Sequence, residues 1–211
     1  MTAIRIALIL FLSLALSSCK EEGKEEILDV FDAYNAALNN NDGAAAIALI
    51  DDKYFEDFQH MLIAARSAKR EQVFRMRPSE RSRIATMRNR LSYEELKTLD
   101  ARGAIKTLID RGSERSSGLD ITLGKIKFKR PRATAPLIVE GFETKHILEF
   151  VQADNVWKLD PACFDESLDF IIAKRSDRRG VREDTLILEN ESASSGKNVT
   201  DAIWDPPKQG F

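Results

Sequence analysis

The chain has 211 residues, with 32 lysines and arginines set against 34 aspartates and glutamates for a net charge of −2. Its 43% hydrophobic content suits one globular core of ordinary size, and that length leaves room for one domain plus flanking segments. Two cysteines exclude a disulfide-stapled scaffold, and no apolar run after Cys19 is long enough to span a bilayer.

Met1 to Arg5 carries one positive charge and no acid. The apolar stretch Ile6 to Leu16 that follows fits a signal-peptide core of about 7–15 residues and falls short of a permanent span. Leu16-Ser17-Ser18-Cys19 then resembles the lipobox of bacterial lipoprotein precursors: an aliphatic residue, two small residues and a cysteine. The resemblance implies removal of residues 1–18, diacylglycerol on the Cys19 sulfur, and a membrane partner held through that lipid. Lys20, rather than aspartate, follows the cysteine, which implies the outer membrane facing the periplasm if the cell is Gram-negative. An ordinary secretory signal with an incidental cysteine is the alternative. Residues 19–24 read as a charged, lipidated tether.

The folded part is expected over residues 25–175. Ile27, Val30, Phe31, Tyr34 and Leu38 recur at helical spacing, and Asn39 to Gly43 stops that helix. Asp42 can cap a short helix from Ala44 to Ile50. Tyr54 to Phe74 predicts a longer helix with Phe55, Phe58, Leu62 and Ala65 on its apolar side. Pro78 ends that pattern, and Ser79 can cap the next helix, Glu80 to Arg90. Ser92-Tyr93-Glu94-Glu95 is a capping box that starts a helix running to Ile109, and Gly112 stops it.

The period then changes from helical to alternating. Strands are expected at Lys125 to Lys129, Ala133 to Val139, Thr144 to Val151 and Val156 to Asp160, with Pro136 at an edge or bulge. Tight connections favour an antiparallel meander. Phe164, Leu168, Ile171 and Ile172 give a closing helix. Residues 176–211 read as a polar, mobile tail in which Leu186 to Leu188 or Trp204 could dock back. The fold class is therefore α+β: amino-terminal helices on a curved antiparallel sheet, with a helical insert and a closing helix.

Three segments carry a further likeness. Val30 to Ala46, Arg132-Ala133-Thr134-Ala135 leading through Gly141 to Phe150-Val151, and Val156-Trp157-Lys158-Leu159-Asp160 resemble the nuclear transport factor 2-like superfamily. That superfamily includes ketosteroid isomerases, polyketide cyclases and bacterial lipoproteins. The resemblance implies a cone of sheet around helices whose mouth can hold a ligand, but a shared fold does not transfer an activity. The insert from Arg66 to Gly112 is longer and more basic than in that group, and the helix after the last strand is a second departure.

Enzymes on such a scaffold use acid–base groups inside the cone, and here His146 and Tyr34 fall on faces expected to point inward. His60 lies on a helix with its side undetermined. No acidic residue alternates in phase with Leu148 and Phe150 to serve as the usual carboxylate base. Each candidate also has a plain reading, as a strand histidine or a core tyrosine. Cys163 reads as a small apolar residue rather than a nucleophile.

No metal-ligand spacing, phosphate loop or nucleophile elbow occurs, and nothing calls for a cofactor. Arg81, Arg83, Arg88 and Arg90 stand in a basic window and are candidates for contact with anionic lipid, glycan or an acidic envelope protein. The favoured reading is that they are solvated or pair with the acidic early helices. Nucleic acid fits poorly, because no aromatic residues interleave the arginines. A non-catalytic binding or interaction domain is the favoured function, with homodimerisation left open. A small isomerase- or cyclase-type enzyme is the alternative.

Overall fold

Helix α1, whose described part is residues 23–40, lays Ile27, Phe31, Tyr34 and Ala37 into the core along one stripe. The structure, a computed structural model, describes residues 23–113 and 120–208. The signal segment and Cys19 lie outside the described residues. Asn41 turns the chain with φ 54°, and the Asp42 carboxylate accepts the Ala45 amide at 2.9 Å to start α2 (Gly43–Ala48). A glycine is needed at 43. A methyl group there would sit 2.3 Å from the Lys106 carbonyl oxygen, where α2 crosses the later helix that carries Lys106.

Helix α3 (Asp52–Ser67) buries Tyr54, Phe55, Phe58, Leu62 and Ala65, the face its periodicity predicts. It ends earlier than expected. Ala68 is extended, and a separate short helix α4 (Arg70–Val73) follows. The break has a tertiary cause. The Arg88 guanidinium of α5 (Pro78–Arg90) donates to the carbonyls of Ala64, Ala65 and Ala68 at the end of α3. The expected single helix from Ser92 to Ile109 is likewise two. The Ser92–Glu95 capping box starts α6 (Tyr93–Thr98), Leu99 is extended, and Asp100 caps α7 (Ala101–Asp110) by accepting the Gly103 amide at 2.8 Å.

Among the described residues the sheet has five antiparallel strands, and it curls strongly into a half-barrel. A central strand β3 (Arg132–Val139) pairs on one side with β1 (Ile121–Leu123) and β2 (Lys127–Lys129), and on the other with β4 (Phe142–Ala153). β5 (Val156–Asp160) completes the meander. Pro136 lies between the stretches that β1 and β2 cover, and the β3–β4 register shifts beside it. Beyond β5, the loop into α3 joins the sheet edge: the Asp51 amide donates to Leu159 and the Leu159 amide to Leu49, each at 2.8 Å.

Helix α8 (Cys163–Arg179) closes the fold, and α9 (Glu183–Ser195) and a 3₁₀ turn (Asp201–Trp204) follow. The expectation of a mobile polar tail after Ser176 is thus corrected. Leu186, Ile187 and Trp204 are buried in the core, and Trp204 packs edge-on against Phe74 with centroids 5.8 Å apart. The segment looks polar in sequence because part of the surface it covers is the arginine-rich face of α5, against which Glu191 is buried and Glu183 and Asp184 are half-buried.

Candidate functional site

The inner face of the curled sheet is filled. Leu148, Phe150, Trp157 and Leu159 are buried there, and Phe128 meets Trp157 edge-on at 6.0 Å. The open space lies to one side, among the helices. A cavity of about 260 Å³ is walled by Tyr34 and Leu38 of α1, Tyr54 and Phe58 of α3, Ile105 and Leu108 of α7, and Phe164 of α8. Ile121 is the sheet strand residue that reaches it. The wall is aliphatic and aromatic, with the tyrosines, Asn35 and Arg83 as its polar members. No histidine or carboxylate lines it among the described residues.

Tyr34 is therefore where its spacing places it, buried on α1 and facing a cavity. His146 is elsewhere. It sits at the register shift of β3 against β4, where the Thr144 hydroxyl donates to the Leu137 carbonyl at 2.9 Å and accepts the His146 amide at 3.2 Å. Such irregularities re-aim a strand side chain. His146 is half-buried and lines a different cavity, with Lys53, Asp160, Cys163 and Glu166. His60 is exposed on α3 beside a third hollow that includes Arg77 and Glu80. The two proposed acid–base partners do not converge.

Cys163 is half-buried, and its thiol is pushed up to about 12 by burial, with the Asp160 and Asp165 carboxylates adding to the effect. It is a poor nucleophile at neutral pH. Burial also raises Asp160 above the usual carboxylate range, although the Ala162 amide that it accepts opposes this.

The arginines proposed as an anionic contact are engaged within the chain. Arg81 binds the Glu183 and Asp184 carboxylates, Arg83 binds Asp165 through Nε at 2.7 Å, and Arg90 binds Glu191 through Nε at 2.8 Å. Arg88 donates to carbonyls of α3 and to Ile203, and burial lowers its guanidinium to about 10. This corrects both sequence expectations. These side chains are not offered to an outside anion, and their acids come from α8 and α9 rather than from the early acidic helices. The pairs occur in the same order along both elements, so α5 and α9 run parallel. Arg70 extends the seam by binding Asp201 and Asp205 beside the 3₁₀ turn.

Arg83 also stands 5.9 Å from the centroid of Tyr54 and 6.0 Å from that of Phe58, within cation–π range. It is the residue through which the apolar cavity meets the α5–α8 ion pairs, and sequence spacing alone gave no sign of that. Among the described residues, no group of three or more histidine, cysteine or acidic side chains is placed to hold a metal ion. No helix of the described residues is long and apolar enough to cross a membrane. No family model matches the chain, and no curated protein or solved structure matches it either.

Proposed function

We propose that this chain is a lipid-anchored, non-catalytic binding domain of the bacterial cell envelope, carrying a small apolar ligand on a nuclear transport factor 2-like frame. The anchor rests on the lipobox-like Leu16-Ser17-Ser18-Cys19. The frame is supported by the order of helices before a curled antiparallel meander, which is compatible with a cone. The observation that carries the binding reading is the separation of the acid–base candidates. Tyr34 faces an apolar cavity without a described histidine or carboxylate, while His146 lines another. An isomerase or cyclase needs a base within hydrogen-bond reach of the proton it moves, and the described lining of the Tyr34 cavity holds no histidine or carboxylate to serve as one. Such a cavity instead excludes water and favours an apolar body, with hydroxyl, amide and guanidinium groups at its margin to orient one polar atom.

Native mass spectrometry of the full chain extracted from its membrane tests the ligand. A retained small molecule is expected, and it should be lost when Leu108→Trp fills the cavity in a folded protein. Fatty-acid labelling of the chain and of Cys19→Ser tests the anchor separately. Equal label in both would remove it.

A further inference from the structure

Helix α8 turns Phe164, Leu168 and Ile172 toward the core, yet its second half leaves two large apolar side chains outside. Ser167, Ile172 and Ser176 are buried, whereas Phe170 is 59% exposed and Ile171 is 41% exposed. The buried serines cost little, because each hydroxyl donates to a carbonyl of its own helix, Cys163 for Ser167 and Ala173 for Ser176.

Phe170 and Ile171 share their face with cations. At about 100° per residue, Phe170, Lys174, Arg178, Ile171 and Arg175 fall within an arc of about 140°. Lys174, Arg175 and Arg178 are exposed, as is Arg182 just beyond the helix. Of the α8 acids, Glu166 is exposed a turn before Phe170 and outside the arc, while two others are turned inward. Asp165 binds Arg83, and Asp169 accepts the Ser79 amide at 2.6 Å and pairs with Arg77. Asp177 stands at the edge of the arc, and Arg179 is taken by Glu189. Lys174 reaches back over Phe170, 5.7 Å from the ring centroid. The helix dipole accounts for cations in the last turn, but not for an exposed phenylalanine and isoleucine ahead of them.

We infer that this face of α8 is a docking surface for an anionic phospholipid bilayer. Cations around protruding apolar side chains are the arrangement that binds such interfaces: the charges meet lipid phosphates while the ring and the aliphatic chain enter the headgroup boundary. The face is a convex helix side, which a deformable bilayer can accept. The inference goes beyond the cavity and does not depend on its being occupied. Docking through α8 would fix how the domain lies on the membrane.

The test uses the full chain with Phe170→Trp, reconstituted in vesicles of brominated phosphatidylcholine with or without phosphatidylglycerol. Trp157 and Trp204 are both buried, so the new indole reports the patch. Quenching is expected with phosphatidylglycerol, and it should weaken without it and at high salt. Reversal of Lys174, Arg175 and Arg178 to glutamate should lower the docked-to-free ratio roughly a hundredfold or more. Absence of quenching in anionic vesicles overturns the inference. Equal quenching in both vesicle types, which needs no charge variant to read, overturns it as well.

Discussion

Arg90 and Glu191 form an ion pair 101 residues apart in sequence, Nε to Oε1 at 2.8 Å, with side chains only 9% and 8% exposed. The same carboxylate accepts the Thr86 hydroxyl at 2.8 Å and the Asn89 amide at 2.7 Å, while Arg90 also donates to the Ser194 hydroxyl. One glutamate of α9 thus satisfies three side chains of α5. A charge so desolvated is tolerated only because its partners are complete.

Removing it should therefore be costly. Glu191→Ala leaves Arg90 buried without its anion, and a loss of about 3–5 kcal/mol is expected from such single-partner removals. Glu191→Gln keeps acceptor capacity and should lose less. Urea denaturation of the full chain checks both, and a loss below about 1 kcal/mol for the alanine variant would mean that α9 is not held to α5 in solution.

Arg88 is an arginine for its shape. Its planar fork reaches the Ala64, Ala65, Ala68 and Ile203 carbonyls together. A lysine ammonium cannot span them. Arg88→Lys should thus cost nearly as much as Arg88→Ala, about 2 kcal/mol or more for acceptors left buried. Thermal unfolding of the two variants side by side decides it.

What the sequence revealed and what it concealed divide by range. The α1 stripe, the Asp42 cap, the Ser92–Glu95 box and β5 were readable because each is fixed by neighbours a few residues away. The stops at Ala68 and Leu99 were not. At Ala68 the break is held from outside by Arg88, and the Leu99 break is held by Arg66, which donates to the Leu96 and Leu99 carbonyls. Polarity also misled. Helix α9 reads as solvent-facing, yet Glu183, Asp184 and Glu191 point at arginines. In the candidate site, Tyr34 was legible from helical spacing. Its separation from His146 depends on a register shift that alternation does not encode.

Acid should weaken one corner of the helical layer. The Arg111 guanidinium holds the Glu95 carboxyl down at about 2 from an ordinary 4.5, with help from the Ser92 amide. A depressed carboxyl contributes stability that is complete above the unfolded value near 4.5 and is lost as pH falls toward 2. The pair is partly exposed, so its share is no more than about 1 kcal/mol. Glu95→Gln should lower stability at neutral pH and narrow its gap to the parent below pH 4.5, as read from denaturation midpoints across the acid range. A constant gap would show that the Glu95 charge is not what Arg111 and Ser92 respond to.

Cys163 gives a chemical readout of α8 closure. With its thiol at about 12, only about one molecule in ten thousand carries the reactive thiolate at pH 8. In a full chain with Cys19→Ser, iodoacetamide should modify Cys163 far more slowly when native than in denaturant. Phe164, its neighbour, walls the apolar cavity, so an α8 that lifts to admit ligand must also expose this sulfur. Labelling should then slow further when the cavity is occupied. Native labelling as fast as in the unfolded chain would mean that α8 does not stay closed over that corner of the protein.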